Sequence, residues 1–569
     1  MTGKLLIGRL LKLLKPYKRQ IVFIFIYLMI SAVLNLLIPL LTRNVMDTGL
    51  MKREYDVLVN SVLMIFLFYV LDALIKILEE KQRIYMEDNI HEYLEKQAFS
   101  HLMKLKISYY ETRNYSEILQ NTVTDINTIS RIANSEVLFS FTQLVSFFGG
   151  ILGLLIINKQ LTCAVLAYIP VKYIIAGFFS KKMQSNTECY IENYGNYARW
   201  YGNTLAGIKE VRLFGLERLK EKEFAAVQRA VLENLKQRNW IKIVERNSNI
   251  ILLQSLISLL YIVGGIKILN LNITVGSLFA FIAYSSYVTE PVSSILNIRY
   301  EIAGILPSAK RYFEFLKLDE ETEGESVLTG REALSIQFDK VHFGYIEGRQ
   351  ILNGISFSIP AGNSIAFVGL NGSGKTTMIE LLLRLYEPHS GVIRINGQPV
   401  NSYTLESYRG MISVVNQSVY LFNDTIKNNI CLNGENNPDR LLEVLYKCGL
   451  SEFASEEGIN KIVGENGVML SGGQKQKIAF ARALIQDRPI MVLDEVTSNL
   501  DICAELQIKE LIKNEFKRKT IILITHKTEL LEDMDQIFLI KEGKLKLLSD
   551  KKQVFDSDCR KKLIAELEK

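Results

Sequence analysis

The stretch Ile365-Ala366-Phe367-Val368-Gly369-Leu370-Asn371-Gly372-Ser373-Gly374-Lys375-Thr376 decides how the C-terminal part of the chain folds. Four apolar residues predict a buried strand, a glycine-rich turn follows, and a helix opens after it. This is GxxxxGK[ST] in the strand–loop–helix setting that a phosphate-binding loop requires. Its glycines let successive backbone N–H groups turn inward on β- and γ-phosphates, and the helix N-terminus adds partial positive charge. Lys375 is placed to neutralise phosphate oxygens, and the Thr376 hydroxyl to ligate Mg²⁺.

Working outward, Ile490-Met491-Val492-Leu493-Asp494-Glu495 reads as a second buried strand delivering two carboxylates at its end. Asp494 suits Mg²⁺ coordination, directly or through water, and Glu495 suits polarising an attacking water. Alone, an apolar strand ending in Asp-Glu is a common structural feature. Leu470-Ser471-Gly472-Gly473-Gln474 is a small-residue turn opening a helix, again a ready anion site. From about Leu328 onward, short β-rich runs (Ser335–Val341, Ser364–Val368, Val392–Ile395) alternate with helical stretches, which argues for an α/β nucleotide-binding domain.

Here a resemblance becomes plain. Leu470 to Gln474, LSGGQ in order, resembles the signature of ATP-binding cassette (ABC) transporters, and the chain is similar to the exporter type of that family, called type IV. Tyr345, in Val341-His342-Phe343-Gly344-Tyr345, resembles the aromatic that stacks on adenine. Gln417, in Val414-Val415-Asn416-Gln417, is similar to the glutamine that senses Mg²⁺ and nucleotide state. Gly464-Glu465-Asn466-Gly467 looks like the exporter-type loop that touches the membrane domain's levers. Ser498-Asn499-Leu500-Asp501 resembles the D-loop, with Asn499 where the family more often has Ala, and His526 matches the switch histidine. The resemblance implies ATP and Mg²⁺ as cofactors. ATP would be held by Tyr345, Gly369, Asn371, Gly372, Ser373, Gly374, Lys375, Thr376 and Thr377, together with Ser471, Gly472, Gly473, Gln474 and Asp501. It implies Mg²⁺ on Thr376, Gln417 and Asp494, with Glu495, His526, Gln417 and Lys375 carrying catalysis.

The N-terminal part reads differently. A spanning helix needs about 20 mostly apolar residues, and six stretches qualify, at about 21–42, 57–78, 137–158, 161–180, 247–267 and 273–298. Lys4, Arg9, Lys12, Lys15, Lys18 and Arg19 precede the first, so the positive-inside rule places the N-terminus in the cytoplasm. Leu5 to Leu14 has the spacing of an amphipathic elbow helix. Outer connections are short, including one from about Arg43 to Asp56. The inner connections, 79–136 and 181–246, are long, charged and helical in period, so they read as levers continuing the spans. At about 1.5 Å per residue, a lever of roughly 25 residues reaches nearly 40 Å. Ser108-Tyr109-Tyr110-Glu111 through Asp125 resembles the family's first inner loop, with Ser116 where Gly is usual, and Gly207 through Gly215 resembles the second.

The expectation is therefore a multi-domain membrane protein. An all-α six-helix transmembrane domain with long cytoplasmic helical extensions (1–306) and a linker (307–330) lead to an α/β P-loop ATPase domain (331–569). Length and composition agree: 569 residues exceed one ordinary core, and 48% hydrophobic with 22% charged residues excludes a disordered chain. A formal net charge of +6 is too mild to suggest nucleic-acid binding. Six scattered cysteines without a CxxC pair argue against a disulfide framework and a zinc site.

Lys172 and Glu290 are charges inside spans, where charge is costly and usually paired or wet. By helical rise they lie about 17 Å and about 24 Å below the outer ends of their helices, close enough in depth for an ion pair or a shared polar patch. Asp72 and Lys76, spaced i,i+4, suit an intrahelical pair. Tyr284 and Tyr287 are candidates for a cavity wall or for helix packing.

One nucleotide domain and six spans make half of a working machine, because the resemblance implies ATP sandwiched between the phosphate loop of one chain and the signature of another. The expected partner is a second copy, or otherwise a homologous half-transporter. The expected function is ATP-driven export of an amphipathic peptide, drug or lipid across a bacterial plasma (inner) membrane, with the nucleotide domain cytoplasmic. An importer with an exporter fold and a nucleotide-gated regulatory subunit are the alternatives.

Overall fold

A computed structural model describes residues 3–548 except 114, 134, 347, 433–436, 498–501 and 526. The chain divides into a helical unit ending at Asp319 and an α/β unit that opens at Glu320, matching the fold class read from the sequence.

The helical unit runs α1 (Gly3–Leu14), α2 (Lys18–Asn44), α3 (Tyr55–Leu102), α4 (Ser108–Glu111), α5 (Tyr115–Ser130), α6 (Ser135–Ile157), α7 (Lys159–Ala206), α8 (Ile208–Leu213), α9 (Glu217–Leu269) and α10 (Val275–Phe315). Among the described residues, four helices are long and apolar enough to cross a membrane; they include α2, α3, α7 and α9. The other two expected spans fall in α6 and α10. The 48 residues of α3 extend roughly 70 Å at the helical rise, well past a bilayer core. The lower half of α3 buries Met86, Ile90, Leu94 and Ala98 at every fourth position, packed with Leu10, Ile24, Ile126, Ala309 and Tyr312. The extension beyond the span is thus a helix bundle in its own right. Tyr312 donates to the Leu94 carbonyl at 2.8 Å, and Arg311 pairs with the buried Asp125.

Polar groups inside the spans find partners across helices. Asp72, buried on α3, pairs with Lys76 at 2.7 Å as the spacing predicts. It also accepts from Ser31 Oγ at 2.5 Å and Asn35 Nδ2 at 3.1 Å on α2. Tyr284 donates to the Leu36 carbonyl at 2.6 Å and Tyr287 to the Asn35 carbonyl at 3.1 Å, so both hydroxyls pin α10 to α2. Lys172 and Glu290 make no ion pair within 4 Å; Lys172 Nζ donates instead to the Thr289 carbonyl at 2.8 Å.

The connection from Arg43 to Asp56 is not a plain loop, because Val45–Leu50 coils on as a π-helix. Asp47 lies within this turn. Its carboxylate accepts from the Gly276 N–H at 2.8 Å and the Thr274 hydroxyl at 2.5 Å, tying this turn to the first turn of α10. Contact is close enough that a Cβ at Gly276 would sit 2.6 Å from the Arg43 carbonyl.

In the α/β unit, β1 (Ile336–Phe343), β2 (Leu352–Ile359), β4 (Ser390–Ile395) and β5 (Gln398–Pro399) form an antiparallel sheet in the order β2-β1-β4-β5. The second sheet contains β3 (Ser364–Val368), β6 (Ile412–Val415), β7 (Ile490–Asp494), β8 (Thr520–Ile524), β9 (Gln536–Lys541) and β10 (Lys544–Leu547), ordered β10-β9-β3-β8-β7-β6. It is parallel except at β9–β10. Every residue of β3, β7 and β8 is buried, as continuous apolar runs require when helices cover both faces. Residues 307–330, read as a linker, divide in two. Through Phe315 they are the last turns of α10; from Glu321 they are bound along the α/β unit, with Arg409 holding Glu321 at 2.7 and 2.8 Å and Arg384 reaching the Thr322 carbonyl at 2.6 Å.

Asp47→Ala is expected to cost about 1–3 kcal/mol by stripping acceptors from partly buried donors. A clear fall in the melting temperature of the detergent-solubilised chain would show it; an unchanged melting temperature would contradict the tie between the π-turn and α10.

Candidate functional site

The parallel order places the C-terminal ends of β3 and β7 on either side of β8, so their loops open on the same edge. After β3 the chain turns through Gly369–Gly374 into α11 (Lys375–Leu382). Gly374, at φ +104°, is the helix N-cap, and a Cβ there would lie 2.7 Å from Leu352 Cδ2. Lys375 is 6% exposed, and its ammonium donates to the carbonyls of Gly369 (2.8 Å) and Leu370 (3.0 Å), curling the loop around itself. Ser373 Oγ is buried without a hydrogen-bond partner among the described residues.

β7 delivers its two carboxylates as read. Asp494, buried at the strand end, is 3.5 Å from the Thr376 hydroxyl. Burial, followed by the neighbouring Glu495, pushes its carboxyl up to about 6, against the opposing pull of Lys375 and Thr376. Burial likewise lowers the Lys375 ammonium from its usual range, partly offset by Glu495 and Asp494. Glu495 has left-handed backbone, φ +47°, with its N–H tied to the Ile524 carbonyl at 2.9 Å. A non-glycine residue held there is strained and needs its surroundings to keep it so. Gln417, just beyond β6, donates from Nε2 to Glu495 Oε2 at 2.6 Å. The structure thus brings together Lys375, Thr376, Asp494, Glu495 and Gln417.

Tyr345 stands 44% exposed, edge-on to Phe343 and Tyr386 at 5.1 Å. Its hydroxyl reaches Thr377 Oγ1 at 3.0 Å and also Glu380, so the ring is fixed against α11. Glu380 and Tyr386 carry no motif and could not be picked out from the sequence.

The signature turn forms a separate arrangement. Ser471 caps the helix Gly472–Gln486 in a capping box with Gln474, and the Gln474 amide also reaches Glu452 at 2.8 Å. Ser471 and Gly472 are exposed. Among the described residues, no hydrogen bond joins this turn to the phosphate loop. The helix instead touches the Gln417 segment, where Gln476 Nε2 lies 3.4 Å from the Asn416 carbonyl, and Lys475 holds the Asn466 carbonyl of the exporter-type loop at 2.7 Å. His526 and Asp501, expected at the site, lie outside the described residues, as does the rest of Ser498–Asp501.

The donor set fits a magnesium nucleotide. A loop closed on a buried lysine, an orphaned serine hydroxyl and a carboxyl pushed up by burial are groups that gain from a bound polyphosphate and a divalent cation.

Comparison with known proteins agrees. The family model for the ABC transporter transmembrane region matches residues 21–292, and that for the ABC transporter matches residues 352–498. The chain is 29% identical over 548 residues to the uncharacterized ABC transporter ATP-binding protein YknV of Bacillus subtilis, covering 94% of this chain and 90% of the relative. It is 28% identical to the ATP-dependent lipid A-core flippase of Haemophilus ducreyi, covering 94% and 93%. Among solved structures, a bacterial Atm1-family ABC exporter with ATP bound superposes with TM-score 0.82 at 23% identity, covering 97% of each chain; this likeness is one of fold.

Because the Asp494 carboxyl is raised, its ionised form opposes folding above about pH 6, and the penalty fades as pH falls toward 4, where the unfolded group also protonates. Asp494→Asn should therefore raise the melting temperature of the nucleotide-free protein, with a gain that grows from pH 4 to pH 7. A gain that shrinks over this range would contradict the burial penalty.

Proposed function

The chain belongs to the ABC transporter family, a membrane region joined to an ATPase coupled to transport, and from that premise we propose a homodimer that exports an amphipathic cargo. One observation carries the catalytic part: Glu495, fixed in left-handed backbone and hydrogen-bonded to Gln417, sits beside a buried lysine whose ammonium donates to the loop's own carbonyls. In this reading Glu495 polarises the attacking water, and Gln417 holds its carboxylate until nucleotide arrives. Lys375 turns from the loop carbonyls to phosphate oxygens. Mg²⁺, held by Thr376, Asp494 and Gln417, would supply neutralisation of the phosphate charge. His526 and Asp501 complete the proposed set.

The homodimer rests on the signature turn. It is exposed and capped, no hydrogen bond among the described residues joins it to the phosphate loop of its own chain, and the chain carries one copy of each. Two copies related by a twofold axis would give each loop a signature from its partner. The basic residues before α2 support a cytoplasmic N-terminus and nucleotide unit, and the lipid A-core flippases among the relatives support a lipid-like cargo in a bacterial inner membrane.

In lipid nanodiscs, Glu495→Gln should lower ATP turnover by roughly 100-fold or more, the scale of losing a catalytic base, while ATP affinity stays near the parent value. Full turnover in that variant would overturn the assignment. Lys375→Ala should weaken ATP binding about tenfold or more, and an unchanged affinity would remove Lys375 from the site. Accumulation of lipid-like cargo on the side opposite the nucleotide unit, in sealed vesicles, tests direction.

A further inference from the structure

α10 carries an open face within its span. Phe281, Tyr284, Val288, Thr289 and Val292 pack into the helical unit. Phe279 and Glu290 are exposed, and Ala283, Ser286 and Tyr287 between them are half-buried. Among the described residues no cation lies within ion-pair distance of Glu290. A carboxylate within a span is costly against hydrocarbon, and such residues generally face a bundle interior or a wet cavity.

Lys172 explains how the charge is tolerated. It is 8% exposed on α7, and its ammonium is committed to the carbonyl of Thr289, the residue preceding Glu290. A cation is thereby fixed behind the α10 backbone, within electrostatic range of Glu290. In a low-dielectric setting such a charge offsets part of the cost of an ionised carboxylate. It does so without occupying the oxygens, which accept no hydrogen bond from the described residues. Beside them lies Tyr287, fixed by its hydroxyl to α2, and an aromatic next to a carboxylate suits an organic cation.

We propose that Glu290 is the headgroup contact for a cationic amphiphile, a cargo with an alkylammonium or similar group on an apolar body. This deepens the export reading and rests on it: in a homodimer, two such faces would place two carboxylates, with Lys172 of each chain behind its own, along one translocation route. Lys172 acts as a positioning residue, holding charge behind Glu290 without touching cargo.

The test reads binding without ATP, so that it fails or succeeds independently of transport. The full chain is placed in nanodiscs of zwitterionic lipid, and rhodamine 6G, a cationic amphiphile, is titrated in while its anisotropy is followed, with empty nanodiscs as baseline. Glu290→Gln should raise the Kd about tenfold or more, and Glu290→Asp, which keeps the charge, should stay within about threefold. Dodecyltrimethylammonium should displace the dye where dodecyl phosphate does not. The proposal is overturned if Glu290→Gln, melting like the parent, binds the dye equally well, if both variants lose binding alike, or if the phosphate competes as well as the ammonium. ATP hydrolysis by the parent chain, measured separately, reports on the export reading alone.

Discussion

The α/β unit depends on holding two carboxylates and one lysine in a nearly dry corner without letting them neutralise one another. Asp494 and Lys375 are both buried, yet no salt bridge forms between them; the lysine is turned to backbone carbonyls and the aspartate toward a threonine hydroxyl. Burial disfavours both charged forms, which is why the carboxyl is pushed up and the ammonium down. A closed ion pair would be locally more comfortable and chemically inert. The open arrangement is maintained by the sheet: β3, β8 and β7 are hydrogen-bonded in parallel with Phe367 and Asp494 both opposite Ile524, and neither strand end can shift without breaking that ladder. The unmet demand of these groups is what a bound magnesium nucleotide would satisfy.

The helical unit solves a related problem under a stricter rule, since hydrocarbon offers no water to a polar group. Asp72 gathers Ser31, Asn35 and Lys76, and Tyr284 and Tyr287 spend their hydroxyls on α2 carbonyls. These bonds join α2, α3 and α10 at one level of the membrane more specifically than apolar packing could. Beyond that level, α3 and α10 continue into a bundle with an ordinary apolar core, so each is one continuous helix joining the apolar span to the bundle.

Much of this was legible in the sequence because the chemistry is local there. A phosphate loop needs glycines and a lysine at fixed spacing, and an apolar strand ending in Asp494-Glu495 is a contiguous string; both occur where the strand–loop–helix reading puts them. Spans are legible for the same reason, length and apolar content. Pairing between distant residues was not. Nothing in the string links Asp72 to Ser31, 41 residues away, or Asp47, within the π-turn at Val45–Leu50, to Gly276, 229 residues away. Lys172 and Glu290 were visible as costly charges, but proximity in depth does not decide direction. The lysine turns to a backbone carbonyl rather than to the carboxylate.

The central claim is that each ATP site is built from two copies of this chain. Co-expression of a Lys375→Ala chain, which keeps its signature, with a Ser471→Arg chain, which keeps its phosphate loop, tests it most directly. Each variant alone should be silent, and the mixture should hydrolyse ATP at about a quarter of the parent rate, since half of randomly paired dimers would hold one intact site of two. Hydrolysis by either variant alone, or a silent mixture beside an active parent, would contradict the account.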